Sequence, residues 1–133
     1  MLKILILVLS LASCNHSVCN IGKDQVLIAL NALHSRNILS IPSNKLSVSI
    51  SKENIRDITL KKGSIQLQNK SVQLANGSKS WIQFLDIDTD IEERVILKFK
   101  AGEAGYSYMG DIIFVCEQGK LVYSDLRYIS AIE

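Results

Sequence analysis

The stretch DIIFVCEQGKLVY, residues 111–123, indicates how the chain folds. Residues 112–116 are apolar without interruption, so a strand formed here is apolar on both of its faces. Such a strand lies inside a sheet and is covered by other elements. Gln118-Gly119 has the composition of a tight hairpin turn and leads into a second strand through Leu121 and Tyr123.

The same two-residue alternation extends upstream from this stretch. Leu46, Val48 and Ile50 alternate with serines. Within residues 94–100, apolar side chains alternate with basic ones except at Ile96, which falls on the basic face. Turn signals separate these segments, the strongest being Asn76-Gly77. The pattern predicts roughly seven or eight antiparallel strands.

A helical pattern occurs once, at residues 23–36. Val26, Leu27, Leu30 and Leu33 recur with the helical period, and Pro42 follows shortly after. We therefore expect an α+β domain with one N-terminal helix packed on a largely antiparallel sheet. A mostly-β barrel or sandwich is the alternative.

The amino terminus, MLKILILVLSLASC, has the features of an export signal. Lys3 gives a positive start, and the apolar stretch after it is too short to span a bilayer as a helix. Residues 11–14, LASC, resemble the lipobox of bacterial lipoproteins. The resemblance implies removal of residues 1–13 and attachment of lipid to Cys14, which would anchor the protein to a membrane. Ordinary signal cleavage after Ala12 is the alternative.

The same resemblance predicts location and domain boundaries. Asn15 stands where such lipoproteins carry Asp when they are retained at the inner membrane, so we expect an outer-membrane protein that faces the periplasm. Residues 14–22 would form the lipid anchor and a short lead. Residues 23–133 would form a single globular domain, which is an ordinary domain length.

The cysteine count supports this interpretation. Three cysteines are an odd number for an exported protein, and lipid on Cys14 leaves Cys19 and Cys116 to pair. An oxidising compartment would favour a Cys19–Cys116 disulfide. A free Cys116 buried in its strand is the alternative.

Composition and motifs give no sign of cofactor, metal or nucleic-acid binding. The net charge is only +2, whereas nucleic-acid binding usually requires a strong basic excess. The acidic run at residues 86–93 lacks the glycine and the final acid of a calcium loop, so it is interpreted as a solvated connection. His16 and His34 are the only histidines and do not complete a three-ligand set.

Residues 101–110, AGEAGYSYMG, are the best candidate for a partner-binding segment. They combine three glycines with Tyr106, Tyr108 and Met109, and aromatic and methionine side chains are enriched at protein interfaces. We expect an exposed loop on which these three residues contact a partner. The alternative is that one tyrosine packs inward and the segment only connects two strands.

A second resemblance concerns residues 119–129, GKLVYSDLRYI. They are similar to the last strand of small nuclear-transport-factor-two-like periplasmic proteins, although that family has several helices before its sheet. No catalytic residue is carried over. The matching positions are Tyr123, Asp125, Arg127, Tyr128 and Ile129.

These observations predict an envelope-anchored lipoprotein that acts as a non-catalytic protein-binding module, such as an immunity or inhibitor protein. A structural or assembly lipoprotein of the envelope is the second hypothesis. A small enzyme is the third, and its pocket would contain some of Asp86, Asp125, Tyr123 and Tyr128.

Overall fold

A computed structural model describes residues 19–52, 55, 58–60, 63–89, 94–103 and 105–131. The predicted signal segment, Cys14, Asn15 and His16 lie outside the described residues, as do positions 90–93 of the acidic run.

Among the residues that the structure describes, one helix is followed by seven strands, which confirms the α+β class, with the sheet as the dominant part. The helix covers the predicted segment almost residue for residue. The elements are α1 (Lys23–Ser35), β1 (Lys45–Ile50), β2 (Ser64–Leu67), β3 (Lys70–Leu74), β4 (Ser80–Thr89), β5 (Arg94–Glu103), β6 (Tyr106–Glu117) and β7 (Lys120–Ala131).

The seven strands form one sheet in the order β2-β3-β1-β4-β5-β6-β7. The sheet is mostly antiparallel, but β1 pairs in parallel with both β3 and β4. The expectation of antiparallel pairing is therefore wrong at β1. The exception is possible because β3 ends, and β4 begins, opposite the same residue, Leu46. The chain only has to cross over β1 in residues 75–79, and no long return connection is needed.

The helix lies against both ends of the sheet, because it contacts the edge strands β2 and β7. The sheet curls into a half-barrel to allow this. The helix buries Val26, Ala29, Leu30 and Leu33 in the core that fills the half-barrel. Within the described residues, no helix has the length and apolar character required to cross a bilayer.

Residues 101–110 do not form the expected loop. β5 continues to Glu103 and β6 starts at Tyr106, so only two positions of the sequence separate the strands. Two glycines of this segment allow other elements to approach closely: the Trp81 indole of β4 covers Gly102, and a Cβ on Gly110 would clash with the Arg127 carbonyl oxygen of β7. The glycines that suggested a mobile loop therefore allow close packing of strands and side chains.

The predicted hairpin between β6 and β7 is confirmed. Gln118 and Gly119 both have positive φ, as a two-residue hairpin turn with the right twist requires. Beside this turn, Cys116 forms a disulfide with Cys19, with 5.8 Å between their Cα atoms. Ile21 is buried in the core, so the end of the predicted lead belongs to the folded body.

Candidate functional site

Exposed apolar side chains are concentrated on β6 and β7. Among the described residues, Tyr106, Met109, Val122, Tyr128 and Ile129 are exposed there, and Ile129 is the most exposed of them at 70%. Four of these, Tyr106, Met109, Tyr128 and Ile129, lie together where β6 begins and β7 ends, and we call them the β6–β7 apolar cluster. Clustered exposure of this kind marks contact surfaces, whereas single exposed apolar residues are ordinary.

The cluster extends around both faces of the sheet. Met109 and Ile129 are cross-strand partners, and both are exposed on the outer, convex face. On the inner face, Tyr108 packs edge-to-face against Tyr106 at 6.0 Å and against Tyr128 at 5.6 Å between ring centroids. These tyrosines hold one another in place, so the cluster is presented by a firm frame.

A groove of about 480 Å³ runs along the outer face beside Met109 and Ile129. Leu85 adds a further apolar wall, and charged side chains border the groove. Its lining comprises Leu85, Lys98, Phe99, Met109, Gly110, Asp111, Arg127, Tyr128 and Ile129. An apolar floor with a charged border is the usual composition of a protein contact surface.

The charged border has alternating signs. Strand register places Asp86, Lys98, Asp111 and Arg127 in one row across four strands. At the end of this row, Lys52 Nζ donates to Asp86 Oδ2 at 2.9 Å. That hydrogen bond, together with one from the Ile87 amide, lowers the pKa of Asp86 from its ordinary value.

Of the three residues predicted to contact a partner, two are exposed and one is half-buried. Tyr106 and Met109 are exposed, whereas Tyr108 packs against the core. All three lie on β6 and not on a loop, which corrects the expected setting. One tyrosine therefore packs inward while its two neighbours remain accessible, and contact with a partner stays a prediction.

The most elaborate polar contact was missed by sequence reasoning. Glu103 is only 5% exposed, yet its carboxylate accepts four hydrogen bonds. Oε1 accepts from the amide and hydroxyl of Ser40, and Oε2 accepts from the Ile41 amide and the Ser80 hydroxyl. Burial raises the pKa of Glu103, but the hydrogen bonds together hold it below its ordinary value.

Glu103 fixes the connection between α1 and β1. Lys70 Nζ donates to the carbonyl oxygens of Ser40 and Ile41. Glu103 thus accepts from the amides of Ser40 and Ile41, while Lys70 donates to the carbonyl oxygens of the same two residues. Ile41 has a positive φ of 52°, which is unfavourable for a β-branched residue and needs such support. Glu103 is therefore structural in this arrangement.

The residues suggested for an enzyme pocket are divided between the two faces of the sheet. Asp125 pairs with Ile113 on the outer face, whereas Tyr123 stacks edge-to-face on Phe114 inside the half-barrel. Burial raises the pKa of Tyr123; the charge of Arg36 opposes this increase, and the charge of Asp125 adds to it. Asp86 lies elsewhere, paired with Lys52.

Metal-ligating side chains are scattered in the part of the chain that the structure describes. No three His, Cys, Asp or Glu side chains there are grouped as a metal site would need. Asp86 and Asp88 of the acidic run lie on β4, in strand and not in the expected connection. The His34 ring lies 2.8 Å from the Leu39 carbonyl oxygen, which is consistent with a role at the helix end.

Comparison with known proteins adds no relative from which a role could be inferred. No family model matches the chain, and searches of curated proteins and of solved structures found no significant match.

Proposed function

We propose that this protein is an exported lipoprotein that binds a protein partner through the β6–β7 apolar cluster, without catalysis. The observation that carries the proposal is the distribution of exposed apolar side chains. Of six in the described residues, five lie on these two strands, and Ile28 on α1 is the sixth. When a partner covers water-exposed apolar area, the free energy falls by about 25 cal/mol per Å².

The composition of the cluster favours a protein partner. Tyrosine and methionine are enriched at protein interfaces, and a neighbouring charged row of alternating sign can set the orientation of a partner. The frame behind the cluster is held by β-sheet pairing and by the Tyr106–Tyr108–Tyr128 ring contacts. A rigid surface loses little conformational entropy on binding.

Binding is tested by site-specific photo-crosslinking in the native host. A photoreactive residue replaces Ile129 in the cluster or, as a matched control, Ile28 on α1, which is also exposed at 39%. We expect a discrete protein adduct at position 129 and none at position 28. Equal adducts at the two positions, or none at 129, would contradict the proposed surface.

The lipid anchor is supported by the lipobox resemblance at residues 11–14 and by the disulfide, which leaves Cys14 as the unpaired cysteine. We expect radiolabelled palmitate to be incorporated into the native chain and not into the Cys14→Ser variant. Each buried methylene contributes about 0.8 kcal/mol, so two or three acyl chains give stable membrane attachment. Labelling of both the native chain and the Cys14→Ser variant, or of neither, would contradict the proposed lipid anchor.

A further inference from the structure

We propose that the anchor holds the β6–β7 turn next to the membrane, so that the β6–β7 apolar cluster is presented at the far end to a protein partner and not to lipid. This inference rests on the proposed lipidation of Cys14. It adds an orientation to the proposed function, and hence a side from which the partner approaches.

The chain between the proposed lipid and the folded domain is short. Five peptide units separate Cys14 from Cys19, and they span at most about 17 Å whatever their conformation. Cys19 is bonded to Cys116, which lies two residues before the Gln118-Gly119 turn. Ile21 is buried in the core, so the chain is fixed to the body directly after the disulfide. The turn end of the hairpin therefore stays close to the membrane surface.

The length of the β6–β7 hairpin separates the anchor from the apolar cluster. β6 runs from Tyr106 to Glu117, and the eleven steps between its twelve residues, at about 3.4 Å each, give a strand of about 37 Å. Cys116 is near one end, whereas Tyr106 is at the other and Met109 is three residues from it. The apolar cluster thus lies at the end of the hairpin opposite to the anchor.

Charged residues beside the apolar cluster favour a protein over lipid as its neighbour. If the folded domain lay with the outer face of its sheet against the membrane, Met109 and Ile129 could insert into lipid. Asp111 and Arg127 border these two residues in the same groove. Charges pressed into hydrocarbon cost several kcal/mol, so the surface favours a protein whose own charges can pair with the row.

Energy transfer tests the orientation, because Trp81 is the only tryptophan. Trp81 pairs with Gly102 on β5, which in turn pairs with Ser107 on β6, so Trp81 lies at the end of the sheet far from the anchor. Val122 pairs with Val115 and lies near the turn. The lipidated full chain is incorporated into phosphatidylethanolamine–phosphatidylglycerol vesicles that contain a dansyl headgroup lipid. The comparison is between the native chain and a W81F/V122W double variant, each checked for native circular dichroism.

We expect transfer to the dansyl lipid to be at least about twofold more efficient from position 122, since the two donors differ by about 27 Å along the strands. Equal transfer, or more from Trp81, would overturn the orientation while leaving the anchor intact. Failure of the full chain to associate with vesicles would instead overturn the anchor, and with it the inference.

Photo-crosslinking at two positions of β7 tests the partner side. Ile129 and Val122 are both exposed on the outer face, so they form a matched pair that differs in distance from the anchor. In intact cells we expect protein adducts from position 129 and not from position 122. Lipid adducts at position 129 would overturn the inference, as would protein adducts confined to position 122.

Discussion

For single residues, Glu103 shows how hydrogen bonds allow a carboxylate to be buried. Each carboxylate oxygen accepts two hydrogen bonds, and together they replace the water that burial removes. The donors belong to two other segments, Ser40–Ile41 and Ser80. Glu103 therefore connects the end of β5 to the start of β4 and to the α1–β1 connection.

Replacing Glu103 with glutamine should destabilise the fold. The amide group of Glu103→Gln would direct N–H groups towards other donors, and unsatisfied buried groups cost about 1–3 kcal/mol. Urea denaturation measures the loss. The exposed Glu117 on β6 gives the control, since Glu117→Gln should change the unfolding free energy by less than about 0.5 kcal/mol. An equal effect of both substitutions would contradict the role of Glu103.

The pH dependence of stability follows from the lowered pKa of Glu103. A carboxyl whose pKa is lower in the folded chain stabilises the fold above its ordinary value of 4.5, and this contribution is lost as pH falls through the folded-state pKa. The stability difference between the native chain and Glu103→Gln should therefore shrink in acid. Urea titrations from neutral pH to pH 3 test this, and a difference that stays constant would be inconsistent with it.

At the scale of elements, the helix closes the half-barrel by contacting both edge strands. Leu30 is fully buried on its inner side, whereas Ile28, two residues earlier, is exposed. Leu30→Ala should lower the unfolding free energy by about 2–5 kcal/mol through lost burial and a cavity. Ile28→Ala removes an apolar side chain from the same helix and should cost far less. Similar losses for the two variants in thermal unfolding would argue against the helix position.

The disulfide is the second device at this scale. Cys19 and Cys116 are 97 residues apart, and a closed loop of this size stabilises a fold by about 4–5 kcal/mol in the chain-entropy model. A Cys19→Ser/Cys116→Ser double variant should lose roughly that amount in urea denaturation. Adding reductant should lower the stability of the native chain and leave the double variant unchanged. An effect of reductant on both would indicate a different cause.

At the scale of the whole molecule, the residue after the proposed lipid-bearing cysteine should decide the membrane. Because lipoproteins of the resembling class are retained at the inner membrane by Asp at this position, Asn15→Asp should shift the protein from outer to inner membranes. Sucrose-gradient separation measures the distribution. Asn20→Asp adds the same charge close by on an exposed residue and should leave the distribution unchanged. A shift caused by both variants would point to charge alone.

The fold class and most of the local elements could be predicted from the residues alone. The helix, the β6–β7 hairpin turn and the pairing of Cys19 with Cys116 were predictable, because side-chain period, turn composition and cysteine count are local or compositional signals. Tyr106 and Met109 were also recognised as candidate contact residues, from residue type alone.

The way in which these parts combine depends on long-range packing. The position of β1 between β3 and β4 depends on strand pairing across the chain, which no local period encodes. Glu103 looked like an ordinary loop acid because its donors at Ser40 and Ile41 lie more than sixty residues away. The apolar cluster likewise exists only because the register places Met109 beside Ile129. Contacts between distant residues depend on the packing of the whole chain, and that is the physical reason why sequence reasoning missed them.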